Sequence, residues 1–206
     1  MLSNIQIEDI ARRMSLDLVG CFNKDELPSR FEVGRSYIIN IEDSQDEDGK
    51  ELPGSHWTAF MMVEHTDHPI PMYFDSFGIG PPRQVEERVK RQLGKKRSKI
   101  CFSHKQVQDQ EVSAMCGWFC LAWLSFMKKR GDGRFFSNDM VVRYGDFLDI
   151  FEERDLVQND ERLKLFFMPR PGTAEADAFI AERAAAAAAA SSAGDAGDVV
   201  PPAVDA

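Results

Sequence analysis

The run CGWFCLAWLSFM at 116–127 is apolar on nearly every side over three helical turns and is followed at once by KKRGDG. A segment this long with no polar face reads as a buried helix, halted by charge and glycine. The other elements must therefore supply the layers that cover it. With 206 residues and 43% hydrophobic content, the chain has enough apolar material for one domain with a full core.

Ile7, Ile10, Ala11, Met14 and Leu18 fall at helical spacing, which predicts an amphipathic helix over 5–18. The following GCFNKDELPSR reads as a loop, with turn chemistry at Asn23, Asp25 and Pro28. Residues 36–41 read as a buried strand and 57–63, WTAFMMV, as a central one. A further strand begins at 72–74 after the turn-like DHPIP, and the last two would pair as an antiparallel hairpin. Pro81-Pro82 leads into a helix over 84–93, and 99–108 reads as another strand. Two more helices are expected over 138–151 and 160–167, opening with Asn138 and Asp160 as caps.

From 170 onward the composition turns to Pro, Gly, Ala, Ser and Asp, with seven consecutive alanines at 184–190. Such a segment cannot bury enough apolar surface to order itself, so the expectation is a domain over 1–169 and a disordered tail over 170–206.

The net charge of -9 argues against wholesale nucleic-acid binding, but the charge is unevenly spread. Residues 42–51 are acidic. Arg83, Arg88, Lys90, Arg91, Lys95, Lys96, Arg97 and Lys99 form a basic strip that could touch DNA or an acidic partner, and a solvated helix face is the plainer reading. No apolar run reaches membrane-spanning length, and MLSNIQIEDIARRM lacks the pattern of a secretory signal. A soluble intracellular protein without a membrane partner is expected. The four cysteines show neither CxxC pairing nor the density of a disulfide scaffold, so reduced thiols are expected. HTDH at 65–68 has metal-like spacing, yet no further Cys or His cluster completes a site.

Four polar residues stand at element ends: His56 before the 57–63 strand, Asp75 after the 72–74 strand, Gln108 near the end of 99–108, and Cys116 on the first turn of the apolar helix. A helix start favours a thiolate, an imidazole can take and return its proton, and a carboxylate can fix that imidazole's tautomer. The backbone N–H of Cys116 and the amide of Gln108 would serve as donors to an oxyanion. Gly117 would leave room for a substrate backbone. Each residue has a structural alternative: a cysteine on an apolar helix is ordinarily a small core residue, and Cys120, one turn on, keeps that reading.

The motifs GSHW, YFDSFG followed by PP, QVQ, and CGWFC followed by an apolar helix resemble the adenovirus endopeptidase (adenain) family of viral and transposon-encoded cysteine proteases, distantly similar to SUMO-specific proteases. GCFNKDELP and NDERLKLFF add to the likeness, which covers about residues 5–169. The resemblance implies an α+β fold, a small mixed or antiparallel β-sheet packed between helices, with Cys116 opening a central buried helix. It assigns His56, Asp75 and Cys116 to the triad and Gln108 to the oxyanion. Gln108 lies eight residues before Cys116, further than usual in the family, and Gln110 is the alternative.

The expected function is cleavage of viral capsid or core precursor proteins, commonly after glycine, in the virion and the interior of the infected cell, including the nucleus. No cofactor is required by the chemistry. DNA and a short viral peptide are candidate activators by family analogy alone, and a monomer is expected. The alternatives are a protease for ubiquitin-like modifiers and a non-catalytic protein- or DNA-binding module on the same fold.

Overall fold

WTAFMMV has no polar residue to turn toward water except a threonine, and it forms the fully buried strand β3, Trp57–Val63. In the computed structural model, which describes residues 1–128 and 137–167, β3 is a central strand of a four-stranded sheet ordered β1-β2-β3-β4. Strand β2, Ser36–Asn40, and strand β4, Ile70–Phe74, flank β3 and both run antiparallel to it. Strand β1, Leu18–Asn23, pairs in parallel with β2 at the edge. The result is a mixed α+β architecture, with Met1–Phe166 packing as one unit.

Both faces of the sheet are covered, which is why its inner strands lack polar alternation. One face carries Tyr37, Ile39, Phe60, Met62 and Tyr73 into a core with Leu27, Phe31, Val85, Val89 and Ile100. Val85 and Val89 are the buried stripe of helix α2, Arg83–Leu93, whose other positions are largely charged. The opposite face receives helix α3, Cys116–Met127. There Phe74 stacks on Trp123 with centroids 5.6 Å apart and meets Phe147 edge-on at 5.5 Å. Helix α1, Asn4–Arg13, helix α4, Ser137–Leu148, and helix α5, Leu156–Lys164, enclose α3 from other sides. The apolar helix is thus wrapped, as its all-round hydrophobicity requires.

Most expected elements form, with three corrections. The 18–23 segment is a strand rather than a helix end and loop. The α1 helix stops at Arg13, Ser15 adopts a left-handed φ of 54°, and the chain then extends alongside β2. The strand expected over 99–108 shrinks to a single bridge between Cys101 and Met72. Beyond it the chain bonds instead to the turn after β4, through Val107 and Gln108 N–H to the Ser76 carbonyl. The last helix begins at Leu156, where Asp155 accepts from Gln158 N–H at 3.2 Å, so Asp160 is not a cap but a mid-helix residue. The tail expected over 170–206 lies outside the described residues. No described helix is long and apolar enough to cross a membrane.

Candidate active site

The register of the hairpin sets the site. Ala59 pairs with Phe74 in the last rung, so His56 and Asp75 leave the sheet together at the open end of the β3–β4 pair. Continuing that register places His56 across from Phe77, and the two rings stack with centroids 3.8 Å apart and planes 12° apart. The loop leading into His56 is held by Asn40 at the end of β2. Its side-chain oxygen accepts from Glu42 and Ser55 N–H, and the His56 carbonyl accepts from Ile41 N–H at 3.1 Å. Gly54 in this loop has a φ of 77° and sits against the Asn40 side chain, where a Cβ would collide.

His56 Nε2 lies 2.8 Å from Asp75 Oδ1, both residues being 3% exposed. A carboxylate can only accept, so Nε2 carries the hydrogen and Nδ1 holds the lone pair of the neutral ring. Asp75 Oδ1 also accepts the Phe77 N–H at 2.7 Å, a short side-chain turn that fixes the carboxylate. The Gly78 N–H closes on the Asp75 carbonyl at 3.0 Å. Gly78 needs its missing side chain: its φ is 72°, and a Cβ would stand 2.5 Å from the His104 carbonyl oxygen.

Cys116 is the first residue of α3 and is 2% exposed. Met115 supplies no side-chain cap, so the orphan N–H groups of the first turn keep their positive field for a nearby anion. Burial alone lowers the proton affinity of His56. Hydrogen bonds and charge from Asp75 and Cys116 outweigh it and raise the imidazole to about 9. With Nε2 engaged by Asp75 and Nδ1 otherwise unpartnered, Nδ1 is the nitrogen left for the thiol. Burial pushes the thiols of Cys21, Cys101 and Cys120 up, away from the thiolate. Cys120 donates to the Trp57 carbonyl at 3.3 Å, in keeping with a core role.

Gln108 is fully buried whereas Gln110 is exposed. Ser76 Oγ donates to Gln108 Oε1 at 2.6 Å, and Gln108 Nε2 donates to the Ser113 carbonyl at 2.8 Å. Gln108 thus joins the turn after Asp75 to the loop that leads into Cys116. Helix α5 braces the same loop: Asn159 Nδ2 donates to the Val107 carbonyl at 2.9 Å, and Ser113 Oγ donates to Asp160 at 3.0 Å. The sequence did not single out Asn40, Ser76, Phe77 or Asn159 as site residues, and it marked Asp160 only as a helix cap. Ser76 and Phe77 lie inside the quoted YFDSFG motif and Asn159 and Asp160 open the quoted NDERLKLFF, whereas Asn40 lies in neither. Gly117 faces Leu2 and Ile7, each 3.3 Å from where a Cβ would stand, so its small size serves the packing of the N-terminal segment.

A cleft of about 360 Å3 is lined by Leu2, Cys21, Asn40, Gly54 and Trp57, the residue that follows His56, and the Trp57 indole donates to the Leu2 carbonyl at 2.9 Å. The basic strip lies elsewhere in the chain, on α2 and the turn after it. Lys90, Lys95 and Lys99 line a second cleft of about 600 Å3, and Arg88 and Arg91 line one of about 380 Å3. Arg83 is paired with Glu87 at 2.7 Å, and Arg88 reaches the Leu27 carbonyl. Lys96 and Arg97 sit in the turn beyond α2. Among the described residues no group of three His, Cys, Asp or Glu is placed to hold a metal ion. No protein-family model matches the chain, and no curated protein matches it.

A folded-state imidazole raised from 6.5 to about 9 binds its proton more tightly than the unfolded chain does. The stability it contributes is fully present below about pH 6.5 and is lost as pH rises through about 9. The urea midpoint of the wild-type protein should therefore fall between pH 6.5 and 9 more steeply than that of His56→Gln. Parallel slopes in the two proteins would contradict the assignment.

Proposed function

We propose that the chain is a cysteine endopeptidase with Cys116 as nucleophile, His56 as its base and acid, Asp75 as the orienting carboxylate and Gln108 as an oxyanion donor. The observation that carries this reading is the buried His56–Asp75 bond, which leaves Nδ1 for a thiol at the start of an uncapped helix. In the thiolate–imidazolium pair, Cys116 Sγ attacks the scissile carbonyl carbon and the carbonyl π electrons move onto oxygen. The Cys116 N–H and the Gln108 amide stabilise that oxyanion. Collapse expels the amine, which takes the proton from His56 Nδ1. Water, deprotonated by His56, then releases the acid from the thioester and restores the thiol.

Substrates under this reading are precursor polypeptides of viral structural proteins, cut after glycine, in the virion and the infected cell. The basis is the motif resemblance. Gln108 is preferred to Gln110 because a buried, doubly held amide is set in advance, whereas an exposed one must be ordered during the reaction.

The test is hydrolysis of glycine-containing precursor peptides by the purified protein. Cys116→Ala should abolish cleavage, and His56→Ala should lower kcat/KM by about 10³-fold or more. Cleavage that survives Cys116→Ala removes the proposal. Turnover of a SUMO or ubiquitin C-terminal conjugate without cleavage of precursor peptides would move the assignment to a modifier protease.

A second reading, DNA contact as an activator or as the sole function of a binding module, is favoured by the clefts that Lys90, Lys95 and Lys99 line along α2. Binding to duplex DNA should weaken steeply with salt, and Lys95→Ala/Lys96→Ala should shallow the slope of log K against log salt by about 2. A salt-independent affinity would discard it.

A further inference from the structure

A buried serine needs a partner for its hydroxyl, and Ser76 directs both its hydroxyl and its carbonyl to the 107–108 segment. Its side chain is fully buried, and Oγ donates to Gln108 Oε1 at 2.6 Å. Its carbonyl accepts the N–H of Val107 at 2.9 Å and of Gln108 at 3.0 Å. On the far side of the amide stands the Ser113 carbonyl, which can only accept, so it must face Nε2 at 2.8 Å. The two contacts leave one orientation for the amide: Oε1 toward Ser76, Nε2 toward Ser113, with the second Nε2 hydrogen unspent. Without the hydroxyl, one end of that lock is gone, and the amide is held by Nε2 alone.

The geometry points to Ser76 as a positioning residue that sets the Gln108 amide for the oxyanion. This rests on the proposed cysteine-protease reading and deepens it. Asp75 and Ser76 are adjacent in the turn after β4, so one short segment orients both the base, through His56, and the oxyanion donor, through Gln108. The hydroxyl touches no reacting atom. Its effect must therefore appear in steps that build an oxyanion and not in steps that use only the thiolate.

The experiment compares two reagents on Cys116, with adducts located by mass spectrometry. Acylation by p-nitrophenyl acetate passes through a tetrahedral oxyanion: Sγ bonds to the acetyl carbon, and p-nitrophenolate leaves with its bonding pair. Alkylation by iodoacetamide displaces iodide from a saturated carbon and builds none. Ser76→Ala should slow acylation by about 10-fold or more while alkylation changes by less than about twofold, and Gln108→Ala should slow acylation by about 10²-fold. The double variant should be no slower than Gln108→Ala, because the hydroxyl acts only through that amide.

Acylation untouched by Ser76→Ala but slowed by Gln108→Ala would overturn the role of Ser76 and leave the protease reading standing. Cys116 alkylated no faster than in urea-unfolded protein would overturn the protease reading and this inference with it. Should Ser76→Ala fail to fold, the Ser76 hydroxyl proton decides. A slowly exchanging NMR signal in the wild type that vanishes in Gln108→Ala supports the bond, and a signal indifferent to Gln108 refutes it.

Discussion

The antiparallel pairing of β3 with β4 is the constraint on which the rest of the site depends. Its register, with Ala59 opposite Phe74, brings an imidazole and a carboxylate that are 19 residues apart in sequence to the same sheet edge, where they bond at 2.8 Å in near-complete burial. A buried carboxylate without a cationic or hydrogen-bonded partner would be costly. The Phe77 N–H and the His56 Nε2–H satisfy one of its oxygens, and among the described residues the other, Oδ2, has no hydrogen-bond donor. The hydrogen bond and charge of Asp75 favour a protonated imidazole, which is the form that best stabilises an adjacent thiolate. Geometry and charge therefore act in the same direction.

Around this pair, the apolar helix does two things at once. Its length, buried on the sheet face through Phe74 and Trp123, anchors the domain. Its first residue presents a thiol to the same edge. The loop that precedes it is tied at one end to the turn after Asp75 through Gln108 and at the other to α5 through Asn159 and Asp160. The candidate nucleophile, base and oxyanion donor thus stand on elements fixed by the core rather than on free loops, which is what preorganisation requires.

Much of this was legible in the chain itself. The strand Trp57–Val63 and the helix Cys116–Met127 have the bounds that their apolar runs predict, because neither run offers an alternative face to water. The strand ends alone place His56 and Asp75 at one edge of a hairpin, and the two side chains bond there at 2.8 Å. What was not legible lies where local pattern and tertiary pairing disagree. Leu18 and Val19 continue a helical spacing, yet the chain turns left-handed at Ser15 and pairs with β2, a long-range choice that no local window contains. Residues 99–108 have strand composition, but only Cys101 bonds to β4, and the N–H groups of Val107 and Gln108 go to the turn after it. Asn40, Asn159 and Asp160 act through side-chain hydrogen bonds to loops that approach them only in the fold, and an Asn or Asp in a sequence carries no sign of such a partner.

The central claim is that His56 is charged at neutral pH because Asp75 and Cys116 hold its proton. The most direct measurement is the 15N chemical shift of both His56 ring nitrogens from pH 5 to 10. The account predicts two protonated nitrogens at pH 7.5, with Nδ1 losing its proton near pH 9. A neutral ring at pH 7.5 that titrates near its ordinary value of 6.5 would contradict it.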